Sequence, residues 1–213
     1  MCLLLAMGFV TTPQIVEGVV PDTISDKDSH IENAKTARNW GNSPALKAGY
    51  GPPLYETYIH FNFTNIPSEY IQATLALRIW SVDVTKNFTL AITDENWNEM
   101  SLCWNNKPAH LQALSEFTVS ANDTYRIDIT PVVLTRSSIS FCIYRSNGES
   151  LKDHIYIASK ENSNGKPRIE WTYEEWVPHE IPGYNVFIMI GIIAVVVITS
   201  LARKRSPKMQ LIE

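Results

Sequence analysis

Between about residue 22 and residue 173 the apolar positions recur at every second residue, the period of a strand with one buried face. Thr57, Ile59, Phe61 and Phe63 share one parity, followed by Leu75, Leu77 and Ile79 and then Phe88, Leu90 and Ile92. The alternation returns in Tyr125, Ile127 and Ile129, in Ile139, Phe141 and Ile143, in Ile155 and Ile157, and in Ile169, Trp171 and Tyr173. Seven or more short strands separated by turn-rich gaps predict an all-β, jelly-roll β-sandwich with few helices. Gly49-Tyr-Gly-Pro-Pro53, Asn65-Ile-Pro67, Ser146-Asn-Gly148 and Asn162-Ser-Asn-Gly-Lys-Pro167 supply the turns, because Gly, Pro and Asn provide backbone angles that other residues disfavour. No internal repeat interrupts the series.

The pattern changes at both ends. Residues 186–202 carry no charge, and seventeen residues at about 1.5 Å each span about 26 Å, near the lower limit for a hydrocarbon core; Tyr184 and Asn185 extend the edge. Arg203, Lys204, Arg205 and Lys208 follow, and a basic cluster on one side predicts a cytoplasmic end. At the other terminus Cys2-Leu-Leu-Leu-Ala-Met-Gly-Phe-Val10 has the apolar character of a signal peptide, although no basic residue precedes it. The expected organisation is a signal-like segment over 1–21, a β-sandwich over 22–173, a Pro- and Glu-containing stalk over 174–185, a transmembrane helix over 186–202 and a basic tail over 203–213. The ectodomain would then be extracellular on a single-pass cell-membrane protein.

Charge narrows the partners. Residues 19–182 hold twenty acids against fourteen bases, so the domain lacks the basic excess that a phosphate backbone requires, and nucleic acid is excluded as a partner. With Cys2 in the leading segment, Cys103 and Cys142 are the pair left for a disulfide bridge in an oxidising exterior; two separate buried thiols are the other reading.

Three stretches together resemble a known module: Asn39-Trp-Gly-Asn-Ser-Pro-Ala-Leu46, Tyr58-Ile-His-Phe-Asn-Phe63 before Ile66-Pro67, and Asn96-Trp-Asn-Glu-Met-Ser-Leu-Cys-Trp-Asn-Asn-Lys-Pro108. They are similar to the DNRLRE-type domain, also described as carbohydrate-binding module family ninety-six. Tyr125-Arg-Ile-Asp-Ile-Thr130, Ser159-Lys-Glu-Asn162 and the final Pro-Arg-Ile-Glu-Trp strand extend the resemblance over nearly the whole domain. Cys103 stands where that family usually has Thr, Asn62 where it often has Asp, and Trp40 where Tyr is common. The resemblance implies a jelly roll on secreted or surface proteins of bacteria and archaea, with some members binding acidic glycans such as alginate. Ile181-Pro-Gly-Tyr184 before the apolar run also resembles archaeal C-terminal sorting tags, which would let the helix be removed and replaced by another anchor.

Candidate chemistry follows from strand parity. Tyr58, His60, Arg78, Trp80 and Tyr144 fall on outward positions, and with Arg145 they have the rings and guanidinium groups that stack on sugars and bind a uronate carboxylate. Trp104 is expected to bury its ring, with Asn105 and Asn106 bonding loop backbone. Asp22, Asp26 and Asp28 offer oxygens to a calcium ion but lack the glycine and distal glutamate of the helix-loop-helix motif; solvated acids are the plainer expectation, and no other cofactor is indicated. Asn62, Asn87 and Asn122 open glycosylation sequons. His30, His60, His110, His154 and His179 show no metal-ligand spacing, and no nucleophile is paired with a base, so an enzyme is not expected. The expected function is non-catalytic carbohydrate binding at the cell surface; the alternative is a structural or adhesive envelope protein that contacts other surface proteins.

Overall fold

The computed structural model of the 213-residue chain describes residues 21–63, 70–82, 85–145 and 153–173. The predicted leading segment, stalk, transmembrane helix and basic tail lie outside these residues, as do the turns at 65–67 and 146–148. Among the described residues no helix is long and apolar enough to cross a membrane.

The described residues form eleven strands: β1 (Thr23–Ile24), β2 (Lys27–Glu32), β3 (Ala45–Tyr50), β4 (Tyr55–Asn62), β5 (Tyr70–Ser81), β6 (Lys86–Thr93), β7 (His110–Val119), β8 (Thr124–Asp128), β9 (Ser138–Tyr144), β10 (Asp153–Ala158) and β11 (Arg168–Tyr173). The helical content described is one turn, α1 (Thr130–Val133), and a 3₁₀ turn at Trp104–Asn106. All pairings are antiparallel, in the order β1-β11-β5-β10-β3-β4-β9-β6-β7, with β2 added to β4 and β8 to β5.

The period-two residues explain why this sheet folds back on itself. Ile59, Phe61, Phe141, Ile143, Leu90 and Ile92 from β4, β9 and β6 share one buried core with Leu75, Leu77, Ile127, Ile155, Ile157 and Ile169 from β5, β8, β10 and β11. Phe61 meets Phe141 edge-on, and Phe63 meets Trp171 at 86° between ring planes. The result is an all-β, sandwich-like fold. Burying a Phe or Ile side chain contributes about 1.5–3 kcal/mol, so this shared core is the main source of stability.

Four strands, β1, β2, β3 and β7, fall outside the alternating segments read from the sequence, and two of them show why. In β2 the five residues Asp28–Glu32 are all buried although four are polar, because both faces of the strand are covered. The alternation that marks a half-exposed strand is therefore absent. In β7, an edge strand, most positions are exposed. The glycine-rich turns behave as predicted: Gly49 and Gly51 have φ of 148° and 135° before the cis Pro52-Pro53 bond, and Gly165 has φ of 94° in the turn before β11.

Candidate functional site

Residues 94–107, most of the connection between β6 and β7, decide which face of the β4–β9–β6 portion can meet a ligand. Asn39 donates from Nδ2 to the carbonyls of Glu99 (2.6 Å) and Leu102 (2.9 Å), while its Oδ1 accepts from Gly41 N. Lys27 donates to the carbonyls of Glu95 and Trp97, and the Asp28 N–H donates to Glu99 Oε1 at 2.8 Å. Trp97, 8% exposed, donates from Nε1 to Ser140 Oγ at 3.0 Å. Asn106 closes the segment internally, accepting from Cys103 N and donating to Ser101 O, as expected of a loop amide.

Under this cover lies a second apolar cluster of Ile31, Tyr58, Trp97, Leu102 and Cys142, with Trp104 and Tyr144 packed against it. Tyr58 and His60, expected to face outward, are therefore buried. Tyr58 donates to Glu56 Oε2 at 2.7 Å, and Glu56 also takes Lys107 at 2.6 Å and lies 3.4 Å from His110 Nε2. Burial acts to raise the Glu56 carboxyl, but His110, Lys107 and Tyr58 together hold it below the ordinary value. His60 meets Asp26 at 2.6 Å and Glu95 at 3.6 Å. Tyr144 stacks on His110 with centroids 4.4 Å apart. Of the two tryptophans of this segment Trp97, rather than Trp104, is deeply buried; Trp104 is half-buried with Lys107 Nζ 4.0 Å from its ring centroid. Cys103 and Cys142 are free thiols, so the bridge is not formed; Cys142 is wholly buried on β9, and burial pushes its pKa up.

The remaining proposed sugar contacts separate. Arg145 lines a recess of about 490 Å³ with Lys86, Asn87 and Glu116. Arg78 and Trp80 lie on β5. Tyr156 pairs in register with Ser81 and Ile157 with Ile79, which leaves Trp80 as the extra residue of a β-bulge, 43% exposed. Bulges re-aim side chains at functional edges. Arg78 lies 3.7 Å from Asp123, and its methylenes sit where a Cβ on Gly165 would fall.

Lys47 on β3 is in register with Tyr156 on β10 and rests over two rings, 5.0 Å from the Tyr156 centroid and 5.2 Å from that of Tyr55. From there the rings continue: Tyr156 to His154 (5.2 Å), His154 to Tyr55 (5.5 Å), Tyr55 to His30 (6.0 Å) and His30 to Trp40 (5.0 Å, stacked). The Arg38 guanidinium covers Trp40 at 3.9 Å. Among the described residues neither Lys47 nor Arg38 pairs with a carboxylate, whereas Lys35 is tied to Glu32 at 2.8 Å. Gly51, Pro52, Pro53, Tyr55 and His154 bound a recess of about 190 Å³ beside the rings. Burial and then the Lys47 charge lower the His30 pKa to about 3. This ladder was not anticipated: Lys47, Tyr55, His154 and Tyr156 are scattered in sequence, and the β3–β10 and β3–β4 pairings join them.

The three aspartates offered as possible calcium ligands do not share a site, and the solvated setting expected of them fails at Asp28. Asp22 pairs with Arg168 at 2.9 Å and Asp26 with His60, while Asp28 is 1% exposed and accepts the Lys160 N–H at 2.6 Å. Burial pushes the Asp28 carboxyl up to about 7, against the bond from Lys160. The sequon asparagines Asn62, Asn87 and Asn122 are exposed.

No curated protein matches the chain. The family model described as carbohydrate-binding module family 96 matches residues 21–173, the whole of the described β-domain. The chain belongs to carbohydrate-binding module family 96.

Proposed function

We propose that the chain is a non-catalytic, cell-surface-anchored jelly-roll module that holds an acidic polysaccharide along the strip formed by Trp80, Tyr156, Lys47 and Tyr55. The observation that carries this reading is the Lys47 ammonium, unpaired with any carboxylate among the described residues and seated on two aromatic rings, of which Tyr156 flanks the exposed Trp80 bulge. Rings offer faces to sugar CH groups, and an ammonium without a protein counter-ion favours a uronate carboxylate. Family membership supports carbohydrate as the ligand class. The uncharged run 186–202, followed by Arg203, Lys204 and Arg205, supports the anchor, and exposed sequons suit an extracellular domain. The domain would hold polysaccharide rather than cleave it.

The test is binding of the full-length chain to uronate polymers and neutral glucans. Lys47→Met is expected to weaken uronate binding at least ~10-fold, the size of one lost charge-assisted contact, and Tyr156→Ala to weaken it as well through the lost ring face. Binding lost in Trp80→Ala but kept in both others would move the site along β5. No polysaccharide binding at all would favour the structural or adhesive alternative, and turnover of a polymer would overturn the non-catalytic part.

A further inference from the structure

A separate feature lies where β2, the 94–107 segment and the turn after β10 meet. Asp28, Glu99 and Glu161 each place one carboxylate oxygen within 4.8 Å of the others. That is the widest separation two oxygens can have when each sits about 2.4 Å from one calcium ion. Asp28 is 1% exposed, and its Oδ1 is buried without a hydrogen-bond partner, while Oδ2 takes the Lys160 N–H and, at 3.5 Å, the Ser25 hydroxyl. A buried carboxylate oxygen left unpaired costs more than the bond it forgoes and calls for a cation or a proton.

Among the described residues one positive group lies at the cluster. Lys160 Nζ bridges Glu99 Oε2 at 3.2 Å and Glu161 Oε1 at 2.7 Å. One ammonium against three carboxylates leaves a net negative site, and no contact between Lys160 Nζ and Asp28 Oδ1 accompanies the bridge. The oxygen-only donor set suits a hard cation, and its irregular geometry suits calcium better than magnesium, which demands a near-ideal octahedron. We infer that Asp28, Glu99 and Glu161 form a calcium site that ties β2 to the 94–107 segment and the β10–β11 turn, with water completing the shell. This set shares only Asp28 with the aspartates that the sequence pointed to.

The experiment is calorimetric titration of the chelator-treated, full-length chain with Ca²⁺ and, separately, Mg²⁺, with Tm followed in parallel. The expected result is one Ca²⁺ per chain and a rise in Tm that Mg²⁺ at equal concentration does not match. Glu161 is exposed, so Glu161→Gln keeps the fold and is expected to weaken Ca²⁺ binding at least ~10-fold, since affinity follows ligand charge. Asp22→Asn, outside the cluster, should bind as the unaltered chain does. Absence of Ca²⁺ binding by the folded chain, unchanged binding in Glu161→Gln, or equal loss in Asp22→Asn would each overturn the site.

Discussion

His30 shows how one residue links fold and environment. It is buried on β2 between Trp40 and Tyr55, faces the Lys47 charge, and neither ring nitrogen has a hydrogen-bond partner. Its pKa falls from 6.5 to about 3 because burial, and then Lys47, disfavour the charged ring. The unfolded chain therefore binds a proton here at a pH where the folded chain does not. The stability His30 allows is complete above the unfolded value and is lost as pH falls from 6.5 towards 3. In His30→Phe, which keeps a ring against Trp40, the fall in Tm across that window should be shallower than in the unaltered chain. Equal slopes would show that His30 does not set the acid response.

At the scale of elements, the 94–107 segment is a loop that behaves as part of the wall. Gly41 explains how closely it is seated: a Cβ there would lie 2.5 Å from the Glu99 carbonyl oxygen and 2.8 Å from Glu99 Cγ. The nearest atom is backbone and cannot rotate aside, so the segment itself must shift. Gly41→Ala is expected to cost about 1–3 kcal/mol, the range for overpacking a close contact. Denaturant unfolding would give the cost. Amide hydrogen exchange should rise across 94–107 more than in β5 or β11, because the bonds from Asn39 to Glu99 and Leu102 would loosen first. The same cover explains why Tyr58 and His60 are not ligand contacts: parity marks them as pointing away from the main core, but a loop without period lies over them.

Across the whole molecule, the strands share one core even though the sheet runs as a single hydrogen-bonded path. Phe141, wholly buried on β9 and edge-on to Phe61, sits in that core. Phe141→Ala should cost about 3–5 kcal/mol. With a shared core the loss should appear as one lowered denaturation midpoint, with the slope unchanged. Two resolved transitions would mean that the layers unfold separately.

The sequence by itself determined the fold class, because a side-chain period of two is a local property and each strand announces its own buried face. Each strand segment marked by alternation is a strand, and the turns at Gly49–Pro53 and Asn162–Pro167 hold glycines at positive φ. The family was also legible, since Asn39, Gly41 and Asn106 form a motif whose work is to pin one loop. Only the tertiary structure decided which outward positions meet solvent and which distant residues meet each other. β2 was hidden because both its faces are covered, leaving no alternation. Lys47 and Tyr156, like Asp28, Glu99 and Glu161, come together through pairings and a loop path far apart in sequence. Local patterning determines what each segment buries; register and loop placement determine which groups become neighbours, and a binding site is made of neighbours.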